Sequence, residues 1–352
     1  MENRFLVLAL SLHRSFPLFN DEELVLNETK LTKGKYRSVR RVFIIRDQDY
    51  AINEGLRWMI ERNPPNEVKI INGTDHMVMF TRPLKLDPNS TIVPKRHFVL
   101  VHGGGHGAWC WYKITAFLQS NGHNVTAIDL TASGINPRQI NDLKYSSVLD
   151  YIQPLMDFVE SLQPKERAIL VGHSMGGLGL SIAMEKFPNK VSAAVFVTAH
   201  MPGPHLRDYN KREYTKSGFF YGFRIYIYDQ GPNNPPTAVK FGPNMLASKL
   251  YQLSPPKDLA LAISLLRPYP IFNDEELVLE QTKLSKGKYG SVRRVFIICD
   301  QDHAIDEGLQ RYMIEQNPPN EVKVINGTDH MVMFTRPLKL FSFLGEIAEK
   351  YY

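Results

Sequence analysis

The sequence predicts an α/β fold, with a mostly parallel sheet covered by helices on both faces and a cap segment inserted into it. Short apolar strands alternate with helical segments from residue 97 onward. A Gly-x-Ser-x-Gly motif joins one of these strands directly to the next helix. The 352-residue length exceeds the roughly 250 residues of one such domain, so an additional segment is expected.

The predicted strands are apolar runs of five to nine residues, and the segments between them have helical spacing. The strands are residues 97–101, 124–130, 167–172, 191–199, 292–299 and 321–326. The helical segments lie near 148–162, from Ser174 to about Lys186, over 304–316 and over 340–352. Because strands separated by helices pair in parallel through right-handed crossovers, one sheet buried on both faces follows.

Residues 200–272 interrupt the alternation and are predicted to form the cap. The segment is rich in Pro, Gly, Tyr and Phe, including the run FFYGFRIYIY at 219–228. It is either an irregular helical insertion that packs its aromatic rings as core, or a cap that lines a substrate pocket. The two interpretations are compatible, and both are kept.

The additional length is an internal repeat. Residues 20–86 match 273–340 at about 57 of 67 aligned positions, with Gln310 as the one inserted residue. We therefore divide the chain into a partial copy of about 261–340 at residues 1–86, a Pro-containing linker at 87–96, and the α/β domain at 97–352. The apolar start of the chain parallels residues 262–272, which favours a copied helix over an export signal.

The first copy carries Asp49 and His76 at the positions of Asp302 and His330. One hypothesis is that this strand–helix–strand fragment replaces the second copy in the sheet. The other is a remnant of a tandem-gene fusion or a misjoined gene model. We favour the second hypothesis, because the copy lacks the final helix 341–352 and its ten-residue linker spans at most about 35 Å.

Composition excludes several classes of protein. The 42 basic and 36 acidic residues give a net charge of +6 without a concentrated basic patch, which argues against nucleic acid as a partner. No apolar run reaches the roughly 18 residues of a membrane helix. Cys110 and Cys299 cannot form a disulfide framework and fit a reducing compartment, so a cytoplasmic location is expected.

The predicted nucleophile is Ser174, in the sequence Gly172-His173-Ser174-Met175-Gly176. At a strand–turn–helix junction the glycines permit a tight turn that exposes the serine hydroxyl. The backbone N–H of Met175 then faces the developing oxyanion. The run His102-Gly103-Gly104-Gly105 follows the first strand of the domain and is predicted to supply the second oxyanion donor.

The predicted acid and base follow the serine in the chain. A serine needs a base, and the base needs a carboxylate to orient it. Asp302 comes just after strand 292–299, and His330 comes just after strand 321–326, so both lie at carboxyl ends of strands. No spacing typical of metal ligands stands out.

Other side chains compete for these two roles. Asp300 is interpreted as finishing its strand, and Asp329 as shaping the turn before His330. Three further histidines belong to the glycine-rich and serine motifs and are interpreted as structural or pocket residues: His102, His106 and His173.

Five stretches of 97–352 resemble the plant methylesterase and hydroxynitrile lyase family of α/β hydrolases. They are HFVLVHGGGHGAWCWYK, VTAIDLTASGINP, ILVGHSMGGL, KLYQLSPPKDLALA and INGTDHMVMF. The resemblance implies an α/β-hydrolase fold, a triad of Ser174, Asp302 and His330, and oxyanion donors at the backbone N–H groups of Gly104 and Met175. It implies no metal or organic cofactor.

The resemblance also separates two chemistries. The lyases carry Thr and Lys where this sequence has Gly103 and Met331, and neither residue has a side-chain donor. We therefore predict a carboxylic ester hydrolase acting on methyl esters such as methyl salicylate, methyl jasmonate or methyl indole-acetate. Gly103, His173 and Met331 are the pocket candidates, and the only expected partner besides a homodimer copy is the small ester substrate.

Two alternatives remain open at this point. One is a hydroxynitrile lyase. The other is a non-catalytic protein that binds a salicylate-like acid, which the unusual cap favours and the intact triad disfavours. Family members keep a Trp in the cap, whereas Trp58, Trp109 and Trp111 all lie outside it.

Overall fold

The structure is a computed structural model that describes only part of the chain. The chain divides into two units, and residues from Lys95 onward belong to the second. Asp49, His76 and most of the predicted linker lie outside the described residues. The described residues are 42–46, 64–65, 67–71, 95–144, 147–204 and 224–352.

The described part of the first unit contains two parallel strands, β1 (Val42–Arg46) and β2 (Glu67–Ile71). Val42 pairs with Glu67. The repeated sequence in the second unit pairs in the same register, with Val295 opposite Glu321. The helix that the sequence predicts between β1 and β2 falls outside the described residues.

The second unit is built on a six-stranded, fully parallel sheet of order β11-β10-β6-β5-β3-β4, which confirms the predicted fold class. Its strands, with the three cap strands in chain order, are β3 (His97–Val101), β4 (Asn124–Ile128), β5 (Ala168–Ser174), β6 (Val191–Ala199), β7 (Arg224–Ile227), β8 (Ala238–Phe241), β9 (Tyr269–Pro270), β10 (Arg293–Cys299) and β11 (Glu321–Ile325).

The helices begin close to where the sequence predicts, and caps explain the differences. Asp306 caps the helix after β10 by accepting a hydrogen bond from Leu309 N, so this helix starts later than expected. Pro337 starts the final helix three residues before the predicted Leu340. The helices are α1 (Tyr112–Ser120), α2 (Val148–Ser161), α3 (Gly176–Lys186), α4 (Pro256–Leu265), α5 (Glu275–Gln281), α6 (Glu307–Gln316), α7 (Val332–Thr335) and α8 (Pro337–Tyr351).

Alternate residues of the central strands are buried on opposite faces of the sheet. Leu100 and Val171 pack into an apolar cluster with side chains from α1 and α8. Val101 and Leu170 pack into a second cluster with side chains from α2, α3 and α6. Both faces are therefore covered, as the continuous apolar character of these strands predicts. In the described residues, no helix is long and apolar enough to cross a membrane.

The described part of the cap contains a small antiparallel sheet of order β7-β8-β9 as well as helices. The interpretation as an irregular helical insertion was therefore incomplete. The sheet is hard to predict because β9 has two residues, one of which is Pro270. A helical turn at Pro243–Met245 and a π-helical turn at Leu246–Leu250 precede α4.

A buried ion pair attaches the cap to the sheet domain. Lys113 Nζ of α1 lies 2.7 Å from Asp258 Oδ2 of α4, and the two side chains are 7% and 2% exposed. The Tyr112 hydroxyl donates to the other oxygen of Asp258. Removing the carboxylate would leave a buried ammonium without this counter-charge.

Asp258→Ala is therefore expected to lower the free energy of unfolding by about 3–5 kcal/mol. Urea denaturation followed by circular dichroism measures this change. The matched control is Arg311→Ala, which removes the exposed Arg311–Glu307 pair and should cost at most about 0.5 kcal/mol. Equal losses in the two variants would contradict the assigned role of the buried pair.

Candidate active site

Ser174 lies at the end of β5, on the turn that leads into α3. Its φ is +52°, in the left-handed region that a residue with a side chain rarely adopts. The turn is also tight, because a Cβ on Gly176 would lie 2.7 Å from the carbonyl oxygens of both Val101 and His102. Glycine at 176 lets α3 start against the end of β3. Gly176, which follows Met175 in the chain, therefore lies against His102, the first residue of the glycine-rich run.

Asp302 and His330 meet at the carboxyl edge of the sheet. They follow β10 and β11, which are paired as far as Cys299 and Ile325. His330 Nδ1 lies 2.6 Å from Asp302 Oδ2, and the two residues are 3% and 2% exposed. A ring nitrogen beside a carboxylate carries the proton, so Nε2 is left as the acceptor.

The carboxylate of Asp302 is held by further donors. Its Oδ1 accepts from the backbone N–H groups of Ala304 at 2.7 Å and Ile305 at 2.9 Å. The hydroxyl of Thr198 donates to Oδ2, the oxygen that also faces His330. These bonds fix the orientation of the carboxylate toward the imidazole.

Ser174 is connected to this pair through its neighbour His173. The His173 Nε2–H donates to the carbonyl oxygen of His330 at 2.8 Å, and the two rings lie 4.5 Å apart. The structure thus brings the three predicted triad residues to one edge of the sheet. The hydrogen bond within the triad that it shows directly is the one between Asp302 and His330.

The other predicted histidines hold loops in place. His102 Nε2 accepts from Leu130 N, which leaves Nδ1–H to donate to Gly103 O at 2.7 Å. His106 Nδ1 lies 2.9 Å from Gly104 O, and its Nε2 lies 2.7 Å from the hydroxyl of Tyr251 in the cap. Both rings therefore stabilise the loop that contains the predicted oxyanion donor.

Burial keeps these histidines neutral. It lowers the pKa of His102 and that of His106, the latter to about 3, and it lowers the pKa of His173 well below 6.5. A ring that does not take up a proton near neutral pH and is committed to loop bonds is a poor general base. His330, hydrogen-bonded to a carboxylate, is the better candidate.

The buried neutral ring of His106 should make stability depend on pH. Between its ordinary pKa of 6.5 and its folded pKa of about 3, the unfolded chain binds a proton that the folded chain does not. The free energy of unfolding therefore falls as pH falls, by about 1.4 kcal/mol per pH unit for this ring. His106→Gln should make the slope shallower by that amount in urea titrations. An unchanged slope in His106→Gln would contradict this assignment.

The two competing carboxylates have structural contacts. Asp300 Oδ1 accepts from Thr328 N at 3.2 Å, which joins the loops after β10 and β11. Asp329 Oδ2 accepts from Leu253 N at 2.9 Å and from the Ser254 hydroxyl at 2.8 Å, and its Oδ1 accepts from Met331 N. Asp329 thus shapes the turn at His330 and also fastens the cap to it.

The pocket candidates differ in their surroundings. The side chains of Met331 and His173 are buried, and His173 Nδ1 has no hydrogen-bond partner among the residues that the structure describes. A Cβ on Gly103 would lie 2.7 Å from Ser174 Cβ and 3.3 Å from Ser174 Oγ. Any side chain at 103 would therefore displace the serine from its present position.

Gly103→Thr, which introduces the residue that the lyases carry, is expected to lower esterase kcat/KM by about 100-fold because it shifts the nucleophile. Methanol release from a methyl ester measures the loss. Gly287→Thr is the control, since nothing lies within 4 Å of a Cβ at that exposed glycine. Full esterase activity in Gly103→Thr would show that the site tolerates the lyase residue.

Two residues beside the site were not predicted from the sequence, and they lie at the carboxyl end of β6: Thr198 is within its last two residues, and His200 directly follows it. Thr198 has a φ of +37° and donates to Asp302. His200 N donates to Ser174 O at 3.0 Å, and burial lowers the pKa of its ring to about 4. The available signal was their position at the carboxyl end of a strand next to β5.

Known proteins are similar to this chain over most of its second unit. The profile of the Alpha/beta hydrolase family matches residues 98–342. Methyl jasmonate esterase 1 of Vitis vinifera is 52% identical over 260 residues, covering 73% of this chain and 98% of the relative. Salicylic acid-binding protein 2 of Nicotiana tabacum is 46% identical over 268 residues, again covering 73% and 98%.

A solved relative shows the same fold. The structure of tomato methylketone synthase I is 47% identical, with a TM-score of 0.70, and covers 74% of this chain and all of that chain. The chain belongs to the α/β hydrolase family and, within it, to the plant methylesterases. The predicted enzyme class, a carboxylic ester hydrolase, is confirmed by this placement.

Proposed function

We propose that this protein is a serine carboxylesterase that hydrolyses methyl esters of small plant-hormone-like acids. The observation that carries the proposal is the buried His330–Asp302 pair, at 2.6 Å, on the sheet edge where Ser174 occupies a turn with φ +52°. Methyl jasmonate, methyl salicylate and methyl indole-acetate are the proposed substrates. The names of the two curated relatives support the jasmonate and salicylate classes.

In the first half of the reaction, His330 Nε2 accepts the proton of Ser174 Oγ as the oxygen attacks the ester carbonyl. Asp302 stabilises the imidazolium that forms, through the bond to Nδ1. The carbonyl oxygen becomes an oxyanion, which the backbone N–H groups of Gly104 and Met175 stabilise. The tetrahedral intermediate collapses, and the methoxide leaves with the proton from His330 as methanol.

In the second half, water replaces methanol. His330 accepts a proton from the water as it attacks the acyl carbonyl, and Ser174 leaves with that proton. The products are the free acid and the regenerated serine. Every proton transfer uses the same imidazole, so the cycle requires no metal or organic cofactor. The proposed catalytic domain is residues 97–352.

The lyase alternative has less support. Gly103 and Met331 offer no side-chain donor to a cyanohydrin hydroxyl or to cyanide, and a larger residue at 103 would meet Ser174. The alternative of a binding protein without activity also has less support. It would have no need of the hydrogen bonds that orient Asp302 toward His330.

One panel of substrates separates these functions. Purified full-length protein is incubated with the three methyl esters and with mandelonitrile, and released methanol and cyanide are measured. We expect methanol from at least one ester and no cyanide. Cyanide release would identify a lyase, and saturable binding of salicylate or jasmonate without turnover would identify a binding protein.

We also propose a cytoplasmic location. The buried free thiols of Cys110 and Cys299 are compatible with it.

A further inference from the structure

Gln310 is a fully buried amide on α6 that lies outside the triad. Its residue exposure is 0%. Its Oε1 accepts from Cys299 N at 3.0 Å, and its Nε2 donates to Cys299 O at 3.0 Å and to Ile305 O at 2.7 Å. One side chain therefore binds the backbone at the end of β10 and again six residues later.

The amide replaces a pairing that the sheet does not supply. The pairing of β10 with β6 ends at Ile297 and Val197, two residues before Cys299. Immediately afterwards Thr198 takes a positive φ, and its hydroxyl reaches Asp302. Beyond the end of the β10–β6 pairing, Gln310 satisfies both backbone groups of Cys299, as a neighbouring strand would.

The segment fixed in this way is the loop that carries Asp302. Cys299 and Ile305 are its two ends, and the N–H of Ile305 donates to Asp302 Oδ1 at 2.9 Å. A shift at either end would move the carboxylate relative to the ring of His330. We propose that Gln310 is a positioning residue. It holds the loop from Cys299 to Ile305, called the acid loop below because it carries Asp302, in the geometry needed for the Asp302–His330 hydrogen bond. This inference rests on the proposed function.

The internal repeat gives an independent view of the same residue. The first copy reads Leu56-Arg57 where the second reads Leu309-Gln310-Arg311, so the inserted residue of the repeat is the amide itself. The copy therefore contains the acid, as Asp49, without the side chain that holds the acid loop in the second copy.

The test is a double-mutant cycle with Gln310→Met, which keeps the side-chain length and removes all three hydrogen bonds. We expect kcat for methyl ester hydrolysis to fall about 10- to 100-fold with KM nearly unchanged, because the acid is misplaced while the substrate contacts remain. In an Asp302→Asn background the same substitution should lower kcat less than about twofold, since the residue that it positions is already lost.

Asn317→Leu is the matched control, because Asn317 is another buried amide, just after α6, and bonds to Pro202 O and the Tyr289 hydroxyl. Asn317→Leu should lower the unfolding temperature but should not cause the loss of kcat that is expected for Gln310→Met. Equal loss of kcat from Gln310→Met in both backgrounds, or an equal loss in Asn317→Leu, would overturn the positioning role.

A second readout separates this inference from the choice of substrate. The rate at which a fluorophosphonate probe labels Ser174 depends on the base and acid but not on any methyl ester. Introduced into the wild-type sequence, Gln310→Met should lower the rate at which the probe labels Ser174. Introduced into Asp302→Asn, which is already labelled slowly, it should leave the labelling rate unchanged. If labelling behaves in this way but no methyl ester is hydrolysed, the proposed substrates are rejected and the positioning role is retained. If Gln310→Met does not change the labelling rate of Ser174, the positioning role is rejected.

Discussion

Ser174→Ala is expected to lower kcat/KM for methyl ester hydrolysis by roughly 10⁴- to 10⁶-fold. The substitution removes the atom that forms the acyl-enzyme, and His330 and Asp302 then have no nucleophile to activate. Alanine is smaller than serine and therefore fits the same space. The substitution removes no hydrogen bond that the structure assigns to the Ser174 hydroxyl, so the fold should persist. Methanol release measures the activity, and near-ultraviolet circular dichroism checks the fold.

Ser181→Ala is the matched control for this experiment. Ser181 lies on α3, two turns after the nucleophile, is fully buried, and donates to Gly177 O at 2.9 Å. It should cost stability by about 1 kcal/mol, the usual value of one hydrogen bond, and leave kcat almost unchanged. Activity of Ser174→Ala within tenfold of wild type would remove this serine from the mechanism.

The second large effect concerns the acid and base of the second copy. A protein carrying Asp302→Asn and His330→Ala is expected to lose at least about 10⁴-fold in kcat, although Asp49 and His76 remain in the sequence. Their presence does not rescue activity if the first copy cannot take the place of the second in the catalytic sheet.

Two sequence differences make that replacement unfavourable. Cys299 is fully buried in the apolar cluster on one face of the sheet, and the first copy has Arg46 at this position. An unpaired guanidinium there would cost several kcal/mol. The first copy also lacks an equivalent of Gln310, which binds the backbone of Cys299.

The reciprocal variant is the control. Asp49→Asn with His76→Ala should have the activity of wild type. If the Asp302→Asn, His330→Ala protein instead keeps its esterase activity and loses it only when Asp49 and His76 are also replaced, the first copy does supply a triad.

The succession of strands and helices along the chain, the parallel sheet and the place of the site were accessible from the sequence. Apolar strands separated by helices imply a parallel sheet, and carboxyl ends of parallel strands lie at one edge. Ser174, Asp302 and His330 were predicted because each follows such a strand. The β10–β11 pairing, which places the last two side by side, follows from the helix between them.

What the sequence did not reveal depends on distant contacts. The hydroxyl of Thr198 reaches Asp302, 104 positions away, because β6 and β10 are neighbours in the sheet. Gln310 could be seen only as an insertion in a repeat, since no local pattern shows that a helical amide will bind a strand end. The cap sheet was missed because strands of two to four residues have too few positions to show alternation.

The most direct test of the proposed mechanism is to trap the acyl-enzyme. Full-length protein is mixed with a methyl ester that it hydrolyses, and the reaction is quenched in acid within the first turnover. The protein is then digested, and the peptides are measured by mass spectrometry. We predict that the peptide containing Ser174 gains the mass of the acyl group and that no such adduct forms in Ser174→Ala. Methanol release at the wild-type rate with an adduct on a different residue would contradict Ser174 as the nucleophile.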